Sequence, residues 1–318
     1  MDIQFTADKS FTNLLYTLNK SLVVTADRLN ELVFIKPQTP DELTSYTHES
    51  IRTKSIAIKE SHFAIATDAH FDIYKTARKT DTDIFYQLKS SHTTGDLDIH
   101  GMSWKTGKLY FINTLYSALC TLDPMEPNNF VKVWHPAYIN KTSGTDQTHL
   151  NGFAIDDGVV KYVTALGKSN KGAWKKKIKT GGIVIDAKKN KIITTGLSMP
   201  HSPRIYNDKL YILESAAGKM IEIDRETGKK HERINFGSFI RGMCLIDDYI
   251  FVGISKIRSG KGGSLFDKLQ VDESTSFAGI AAIKLSTLET IGQLKFSSGV
   301  TDIYNIKKLP NKHIHFEL

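Results

Sequence analysis

The stretch DIHGMSWKTGKLYFINTLYSALCTLDP, residues 98–124, decides the fold because its pattern recurs along the chain. Apolar or alternating runs of about five to eight residues are separated by turn-forming residues, which is typical of short β-strands joined by hairpins. Further copies of the pattern begin near residues 149, 201 and 239. Each copy, together with the run that follows it, predicts a sheet of four strands.

The two ends of the chain complete this repeat. A weaker copy lies within residues 53–88, and the N-terminal copy has only inner members, SLVVTAD (21–27) and NELVFIK (30–36). The segment DIYNI (302–306) matches DIHGM (98–102) in its Asp and Ile, so the C-terminal strand is expected to complete the first sheet. Six such sheets of about 50 residues predict an all-β, six-bladed β-propeller closed by the C-terminal strand. A twisted β-sandwich is the structural alternative.

The repeat also predicts the domain organisation. We expect one propeller domain over residues 1–318, without a linker or a second domain, and a short lead-in helix within residues 1–19. The approximate bounds of the blades and of the closing inner strand are 20–50, 53–94, 97–135, 149–197, 200–236, 239–296 and 300–310, respectively.

The composition is that of an ordinary globular protein, with 40% hydrophobic and 24% charged residues. It excludes a mostly disordered chain, and no apolar run approaches the roughly 18 residues that a membrane helix needs. The N-terminus does not resemble a secretory signal, and Cys120 and Cys244 are expected to be buried, reduced thiols, so a cytoplasmic location is predicted. The net charge of +8 favours anionic partners.

Several motifs resemble those of an uncharacterised bacterial family, known as conserved hypothetical proteins with a domain of unknown function. The motifs are HLNG (149–152), GLSMPHSPR (196–204), FIRG (239–242), GISK (253–256), NTLYSALCTLD (113–123) and the region around WHPAYI (134–139). The resemblance covers roughly residues 10–310. It implies a propeller-like fold and no particular activity.

Polar residues on the predicted inner strands indicate where a site would lie. Inner strands line the central channel of a propeller, and ligand sites are built there from several blades. Buried polar groups are costly unless they are hydrogen-bonded, so a convergent polar cluster is predicted at the channel mouth. The repeat aligns His100 with Asn151, Ser202, Arg241 and Tyr304. The glycines that follow, Gly101, Gly152 and Gly242, are best explained by close strand packing.

His100, His149 and His201 are the candidate catalytic residues. Three imidazoles could hold one divalent metal ion with an open position, and this ion would polarise a carbonyl or activate water. Asp98 or Asp302 could then orient a ligand histidine through a hydrogen bond. In a metal-free alternative, a histidine acts as general acid or base. In the structural alternative, each histidine is a hydrogen-bonded channel residue that binds water.

A second set of residues is predicted to bind an anionic substrate. The candidates are Asn151, Arg204, Arg241, Lys256, Asp98, Asp302 and Tyr304. Arginine offers a planar fork to carboxylate or phosphate, although either arginine could instead pair with a nearby carboxylate such as Glu214. The basic loops 168–182 and 255–263 are expected to steer anions to the same face, with Trp174 covering a ligand; the alternative is a solvated charge run.

These observations favour a small-molecule enzyme or ligand-binding propeller that acts on an anionic substrate, with metal-assisted lyase, hydrolase or isomerase chemistry. The alternative is a non-catalytic binding module or scaffold for an acidic protein or another anionic partner. No membrane partner is expected, and nucleic acid is disfavoured because no stacking motif stands out. Sequence signatures of a serine hydrolase, a zinc protease or a phosphate-binding loop are absent.

Overall fold

The structure is a computed structural model that describes residues 3–26, 29–50, 52–67, 69–140, 143–169, 172–257, 269, 271 and 276–317. Within these residues the chain forms one α-helix, one short 3-10 helix and 26 β-strands. None of the described helices is long and apolar enough to cross a membrane.

The elements follow the order that the repeat predicts. The helices are α1 (Lys9–Thr17) and a 3-10 helix (Ala173–Lys177). The first twelve strands are β1 (Gln4–Ala7), β2 (Lys20–Thr25), β3 (Glu31–Pro37), β4 (Leu43–Glu49), β5 (Ser55–Lys59), β6 (His62–Ala66), β7 (His70–Lys79), β8 (Asp83–Thr93), β9 (Ile99–Lys105), β10 (Lys108–Asn113), β11 (Ala118–Leu122) and β12 (Phe130–Trp134). The others are β13 (Leu150–Asp156), β14 (Val159–Ala165), β15 (Gly182–Asp186), β16 (Lys191–Leu197), β17 (Pro200–Tyr206), β18 (Lys209–Glu214), β19 (Lys219–Ile223), β20 (Lys230–Asn235), β21 (Phe239–Ile246), β22 (Tyr249–Ser255), β23 (Ala278–Lys284), β24 (Glu289–Ser298), β25 (Asn305–Pro310) and β26 (His313–Glu317).

The strands form six antiparallel meanders, so the predicted six-bladed β-propeller is confirmed. The sheet orders are β25-β2-β3-β4, β26-β8-β7-β6-β5, β12-β11-β10-β9, β13-β14-β15-β16, β17-β18-β19-β20 and β1-β24-β23-β22-β21. As predicted, a strand near the C-terminus, β25, completes the N-terminal sheet by pairing with β2.

The chain divides into two compact units. Unit 1 comprises Met1–Gly95, Gly242–Ser255 and Phe277–Leu318, and unit 2 comprises Asp96–Arg241 and Lys256–Ser276. Unit 2 therefore contains the three complete sheets β9–β12, β13–β16 and β17–β20. The single domain expected from the sequence stays a prediction.

Two short strands extend the blades of unit 1 beyond the four-strand repeat. β1 adds a fifth strand to β24, and β26 pairs in parallel with β8. Phe316 on β26 contacts the rings of Phe63, Tyr74 and Tyr86, which fixes the C-terminal strand to this blade. The predicted lead-in helix is α1, which buries Phe11, Leu14 and Leu15 at the helical spacing i, i+3, i+4.

Hairpin turns in unit 2 form at the turn-forming residues that separate the apolar runs. Thr106 and Gly107 connect β9 to β10 with φ of 44° and 80°, and Asn207 and Asp208 connect β17 to β18 with φ of 46° and 62°. Two consecutive residues with positive φ match the right-handed twist of paired strands, which explains the Asn, Asp and Gly found there. These turns fix the register of the inner strands, on which the candidate site depends.

Close packing explains the glycines of the inner strands in unit 2. A Cβ on Gly101 would lie 3.2 Å from the Cα of Gly152, and a Cβ on Gly152 would lie 2.7 Å from the Cδ of Pro203. The strands β9, β13 and β17 are therefore neighbours and approach each other at these glycines. Their packing brings the polar side chains that precede the glycines close together.

Cys120 and Cys244 are buried thiols, as predicted. Burial raises the pKa of the Cys120 thiol to about 12, so this cysteine is a core residue rather than a nucleophile.

Candidate functional site

The same polar contact recurs on the three inner strands of unit 2. His100, Asn151 and His201 expose 5%, 5% and 3% of their surface. Each contacts a hydroxyl group at the end of the second strand of its own sheet, and the pairs are His100 Nδ1–Thr114 Oγ1 (2.8 Å), Asn151 Oδ1–Thr164 Oγ1 (2.7 Å) and His201 Nδ1–Ser215 Oγ (2.9 Å). These polar side chains are thus built into each sheet in the same way.

The strand register changes one detail of the sequence alignment. Ile99 pairs with Asn113 on β10, and Pro200 pairs with Glu214 on β18. Ile99 is followed by His100, and Pro200 is followed by His201. His201 rather than Ser202 therefore occupies the position of His100. The alignment misplaced this residue because it counted from a glycine, and the proline-containing copy has none at that point.

A left-handed residue precedes each of these positions by two residues. Asp98, His149 and Met199 have φ of 48°, 52° and 50°. This conformation turns two of their carbonyl groups towards the histidines: the Asp98 oxygen lies 2.9 Å from His100 Nδ1, and the Met199 oxygen lies 2.9 Å from His201 Nδ1. His149 therefore occupies a different position of the repeat from His100 and His201.

These hydrogen bonds determine which ring nitrogen of His100 and His201 carries the proton. A carbonyl oxygen only accepts hydrogen bonds, so Nδ1 donates in both rings. At His100 the hydroxyl of Thr114 donates its own hydrogen to the carbonyl of Leu150 (2.6 Å), so it too accepts from Nδ1. In the neutral form, both imidazoles therefore carry the lone pair on Nε2.

His149 is oriented by a carboxylate. Its Nδ1 lies 2.8 Å from Oδ2 of Asp146, and the side chains expose 15% and 22% of their surface. The other oxygen of Asp146 is buried and has no hydrogen-bond partner among the described residues. Sequence reasoning missed Asp146, although its spacing of three residues before His149 in DQTH was a usable signal. An ionised carboxylate also makes Nδ1 the donor, so His149 presents Nε2 as well.

Aromatic contacts place His149 between two neighbours. Its ring centroid lies 5.0 Å from that of His100, nearly perpendicular at 78°, and 4.3 Å from the Trp174 ring. Trp174 is buried in the 3-10 helix of the basic loop 168–182, and its Nε1 donates to the carbonyl of Asp146 (3.1 Å). The loop that was predicted to cover a ligand thus covers His149.

An apolar cluster holds the two basic loops together. Trp174 and Ile178 of the first loop pack with Met199 and with Ile257 of the second loop. The lysines on the 3-10 helix, Lys175–Lys177, are exposed, and so is Lys256. Most of the segment 255–263 lies outside the described residues. The charge of the first loop therefore faces solvent while its aromatic residue faces the histidines.

Burial lowers the pKa of His201 well below its usual value, with further lowering by the charges of Arg241, His100 and His149. His201 is therefore neutral near pH 7. The half-buried Arg241 acts on His201 as a positive charge.

This lowered pKa predicts a pH dependence of stability. The unfolded chain binds a proton at His201 below about pH 6.5 while the folded protein does not, so the stabilisation is complete above pH 6.5 and is lost as the pH falls towards the folded pKa. The slope from one such group is at most about 1.4 kcal/mol per pH unit. We expect the free energy of unfolding, measured with urea between pH 7.5 and 5, to change less steeply with pH in His201→Gln than in wild type. An equal pH dependence in both proteins would contradict the lowered pKa of His201. The control is His135→Gln, at an exposed histidine.

The other predicted residues have individual surroundings. Asn151 donates to the carbonyl of Pro200 (2.9 Å) besides accepting from Thr164, so it connects β13 to β17. Arg204 donates to the carbonyl of Pro203 (2.8 Å). In unit 1, Asp302 accepts from Thr301 (3.2 Å). Their substrate-binding roles stay predictions.

Tyr304 in unit 1 has a neighbour that sequence reasoning missed. The Nζ of Lys54 lies 5.6 Å from the centre of the Tyr304 ring, and Lys54 is only 8% exposed. Lys54 directly precedes Ser55 in the weak second copy of the repeat, at the place that His100 holds before Gly101. Extending the alignment to that copy would have found it.

Three residues of unit 2 are grouped closely enough to hold a metal ion. One donor atom from each of Asp98, His100 and His149 lies within 4.8 Å of the others. Among the described residues, this grouping includes Asp98 and not His201, the third ligand expected from the sequence. Asp98 carries both a carboxylate at 3.8 Å from His100 Nδ1 and the carbonyl that orients the same ring.

The fold and these contacts define a six-bladed β-propeller with a histidine cluster, made of the buried His100 and His201 and the partly exposed His149, at the inner strands of unit 2. The chain belongs to the family described as a domain of unknown function, DUF4915, whose model matches residues 9–317. The resemblance inferred from the sequence is thereby confirmed.

Two solved structures show the same type of fold. A protein of unknown function from Bacteroides caccae is 8% identical, covers 91% of this chain and 98% of its own, and has a TM-score of 0.53. A structure described as a nidogen/laminin complex is 9% identical, covers 92% of this chain and 99% of the matched chain, and has a TM-score of 0.56. At these identities the similarity concerns the fold alone. No protein with a curated description is significantly similar to the chain in sequence.

Proposed function

We propose that the histidine cluster binds a small anionic molecule and acts on it as the catalytic centre of an enzyme. One observation carries this proposal: all three imidazoles donate Nδ1–H to a fixed acceptor and so direct the lone pair of the neutral ring to Nε2. An unprotonated ring nitrogen is what general-base catalysis and metal binding both require. Three rings prepared in the same way favour a chemical role over three separate structural ones.

The pair formed by Asp146 and His149 supports proton transfer. A carboxylate at Nδ1 holds the ring in one tautomer and stabilises the imidazolium that forms when Nε2 accepts a proton. Trp174 packs against the His149 ring and leaves only 15% of the side chain exposed. A ring prepared in this way either abstracts a proton itself or, as a metal ligand, helps a bound ion to activate water, and both suit lyase, isomerase or hydrolase chemistry.

The charges near the cluster support an anionic substrate. Arg241 is half-buried and close enough to lower the pKa of His201, and a guanidinium group binds carboxylate or phosphate well. The neutral His201 adds a hydrogen-bond acceptor without adding charge. We place this activity in the bacterial cytoplasm, in keeping with two buried thiols.

A non-catalytic alternative has one observation in its favour. The exposed lysines Lys175–Lys177 form a short basic surface on the 3-10 helix. An acidic protein could bind there without contacting the histidines. Substitution of the cluster would leave such binding unchanged, whereas substitution of the lysines would weaken it.

Thermal unfolding in the presence of small carboxylates and phosphates tests the proposal. We expect at least one of these anions to raise the Tm of the wild-type protein, because a ligand that binds only the folded state stabilises it. The shift should be lost in His149→Gln and in Arg241→Gln and retained in His135→Gln. Compounds that shift the Tm would then be assayed as lactones, esters or dehydration substrates. Equal shifts in the wild type and in both site variants would contradict a ligand site at the cluster.

A further inference from the structure

We infer that the histidine cluster holds one divalent transition-metal ion between Asp98, His100 and His149, an inference that rests on the function proposed above. A donor atom from each of the three residues lies within 4.8 Å of the others. Two imidazoles and one carboxylate are the ligand set of many catalytic zinc sites, and they also suit Fe²⁺. Three protein ligands leave at least one position open for a substrate oxygen or a water molecule.

The hydrogen bonds around the two histidines resemble those of metal-binding histidines. A ligand histidine usually donates its other N–H to a carboxylate or a carbonyl, which fixes the ring and makes it a stronger ligand. Asp146 does this for His149 at 2.8 Å, and the carbonyl of Asp98 does it for His100 at 2.9 Å. Both rings are therefore set to bind an ion through Nε2.

The buried oxygen of Asp146 gives independent support. It has no hydrogen-bond partner among the described residues, although its carboxylate accepts from His149 through the other oxygen. A buried negative charge is stabilised when the ring that it contacts carries positive charge. Metal binding at Nε2 supplies this positive charge without requiring that the ring be protonated.

The backbone at Asp98 explains how this residue serves twice. Its left-handed conformation, with φ of 48°, directs the carbonyl group to His100 at the start of β9. The carboxylate remains 38% exposed and lies 3.8 Å from Nδ1 of the same ring. The carboxylate is therefore open to solvent, from which an ion would enter, and the atom of His100 that the ion would bind is Nε2 rather than the Nδ1 beside this carboxylate.

His201 receives a different role from its neighbours. It is only 3% exposed and is oriented by Met199 and Ser215. It lies outside the grouping of described residues whose donor atoms come within 4.8 Å. We assign its Nε2 as a hydrogen-bond acceptor for the ligand that occupies the open metal position.

Metal titration tests this inference on the full-length, untagged protein. After treatment with EDTA, Zn²⁺ binding is measured by isothermal titration calorimetry, and Co²⁺ is added to record its visible absorption spectrum. We expect one Zn²⁺ per chain in the wild type, at least 100-fold weaker binding in His149→Gln and in Asp98→Asn, and binding within threefold of wild type in His201→Gln. The matched controls are Asp157→Asn, in an exposed turn of unit 2, and His135→Gln.

Each outcome has a defined meaning. Less than about 0.1 equivalent of bound Zn²⁺ and Co²⁺, or binding that Asp98→Asn and His149→Gln leave unchanged, would overturn the metal site. Loss of binding in His201→Gln, with Asp98→Asn unaffected, would replace it by the three-histidine site. The anion-dependent Tm shift of the EDTA-treated protein is measured in parallel. If it persists and depends on His149 while no metal binds, the proposed function stands and the metal site fails.

Discussion

We expect Gly152→Ala to lower the free energy of unfolding by about 1–3 kcal/mol, the usual cost of overpacking a filled core. A Cβ at this position would lie 2.7 Å from Cδ of Pro203 and 3.0 Å from Oγ1 of Thr164. The proline ring is rigid, so the added methyl group would push β17 away from β13. Urea unfolding followed by tryptophan fluorescence measures the effect within unit 2, because all three tryptophans, Trp104, Trp134 and Trp174, belong to it.

A second glycine in unit 2 separates this packing effect from the general effect of adding a methyl group. Gly158, in the turn between β13 and β14, has φ of 68° and no atom within 4 Å of the added Cβ. Gly158→Ala is therefore expected to cost only about 1 kcal/mol, through its left-handed backbone. Anion binding at the histidine cluster should weaken only in Gly152→Ala, because His149 directly precedes β13 and His201 lies on β17. Equal unfolding midpoints for Gly152→Ala and wild type would contradict the close packing of these strands.

Thr114→Val is expected to cost about 1–3 kcal/mol and to weaken Zn²⁺ binding roughly 10- to 100-fold. The Thr114 hydroxyl accepts from Nδ1 of His100 and donates to the carbonyl of Leu150, so it connects β10, β9 and β13. Valine has nearly the same shape, but it leaves the buried carbonyl without this hydrogen bond and loosens the His100 ring. Urea unfolding and calorimetric titration of the EDTA-treated protein measure the two effects.

Two further substitutions make this prediction specific. Thr114→Ser keeps the hydroxyl group and should retain metal binding within threefold of wild type. Thr121→Val replaces another buried threonine of the same sheet, away from the histidines, and should leave metal binding unchanged. Zn²⁺ binding of wild-type strength in Thr114→Val would show that the hydroxyl does not position His100.

Much of the fold was predictable from the sequence because each blade is a local meander. The turns at Thr106-Gly107 and Asn207-Asp208 separate runs of alternating or apolar residues, and such hairpins are encoded by neighbouring residues. The closing strand was predictable because DIYNI repeats a motif. By contrast, β26 pairs in parallel with β8, more than 200 residues away, and no copy of the repeat contains such a strand.

The candidate site was predictable in its residues more than in its geometry. The alignment identified His100 and the other two histidines, yet it could not show that a left-handed residue turns a carbonyl towards Nδ1. Asp146 lies in a loop outside the repeat, so no equivalent in another blade drew attention to it. The role of Asp98 as a potential third ligand depends on interatomic distances that strand patterns do not encode.

The tautomers of His100, His149 and His201 test the proposed site most directly. Long-range ¹H–¹⁵N correlation spectra of EDTA-treated protein with ¹⁵N-labelled histidine, recorded at about pH 8, distinguish protonated from unprotonated ring nitrogens. Single His→Gln variants assign the three signals among the 11 histidines of the chain. We expect all three neutral rings to be protonated at Nδ1 and unprotonated at Nε2. A proton on Nε2 of any of the three would overturn the proposed site, because that ring would then present a donor where the site requires a lone pair.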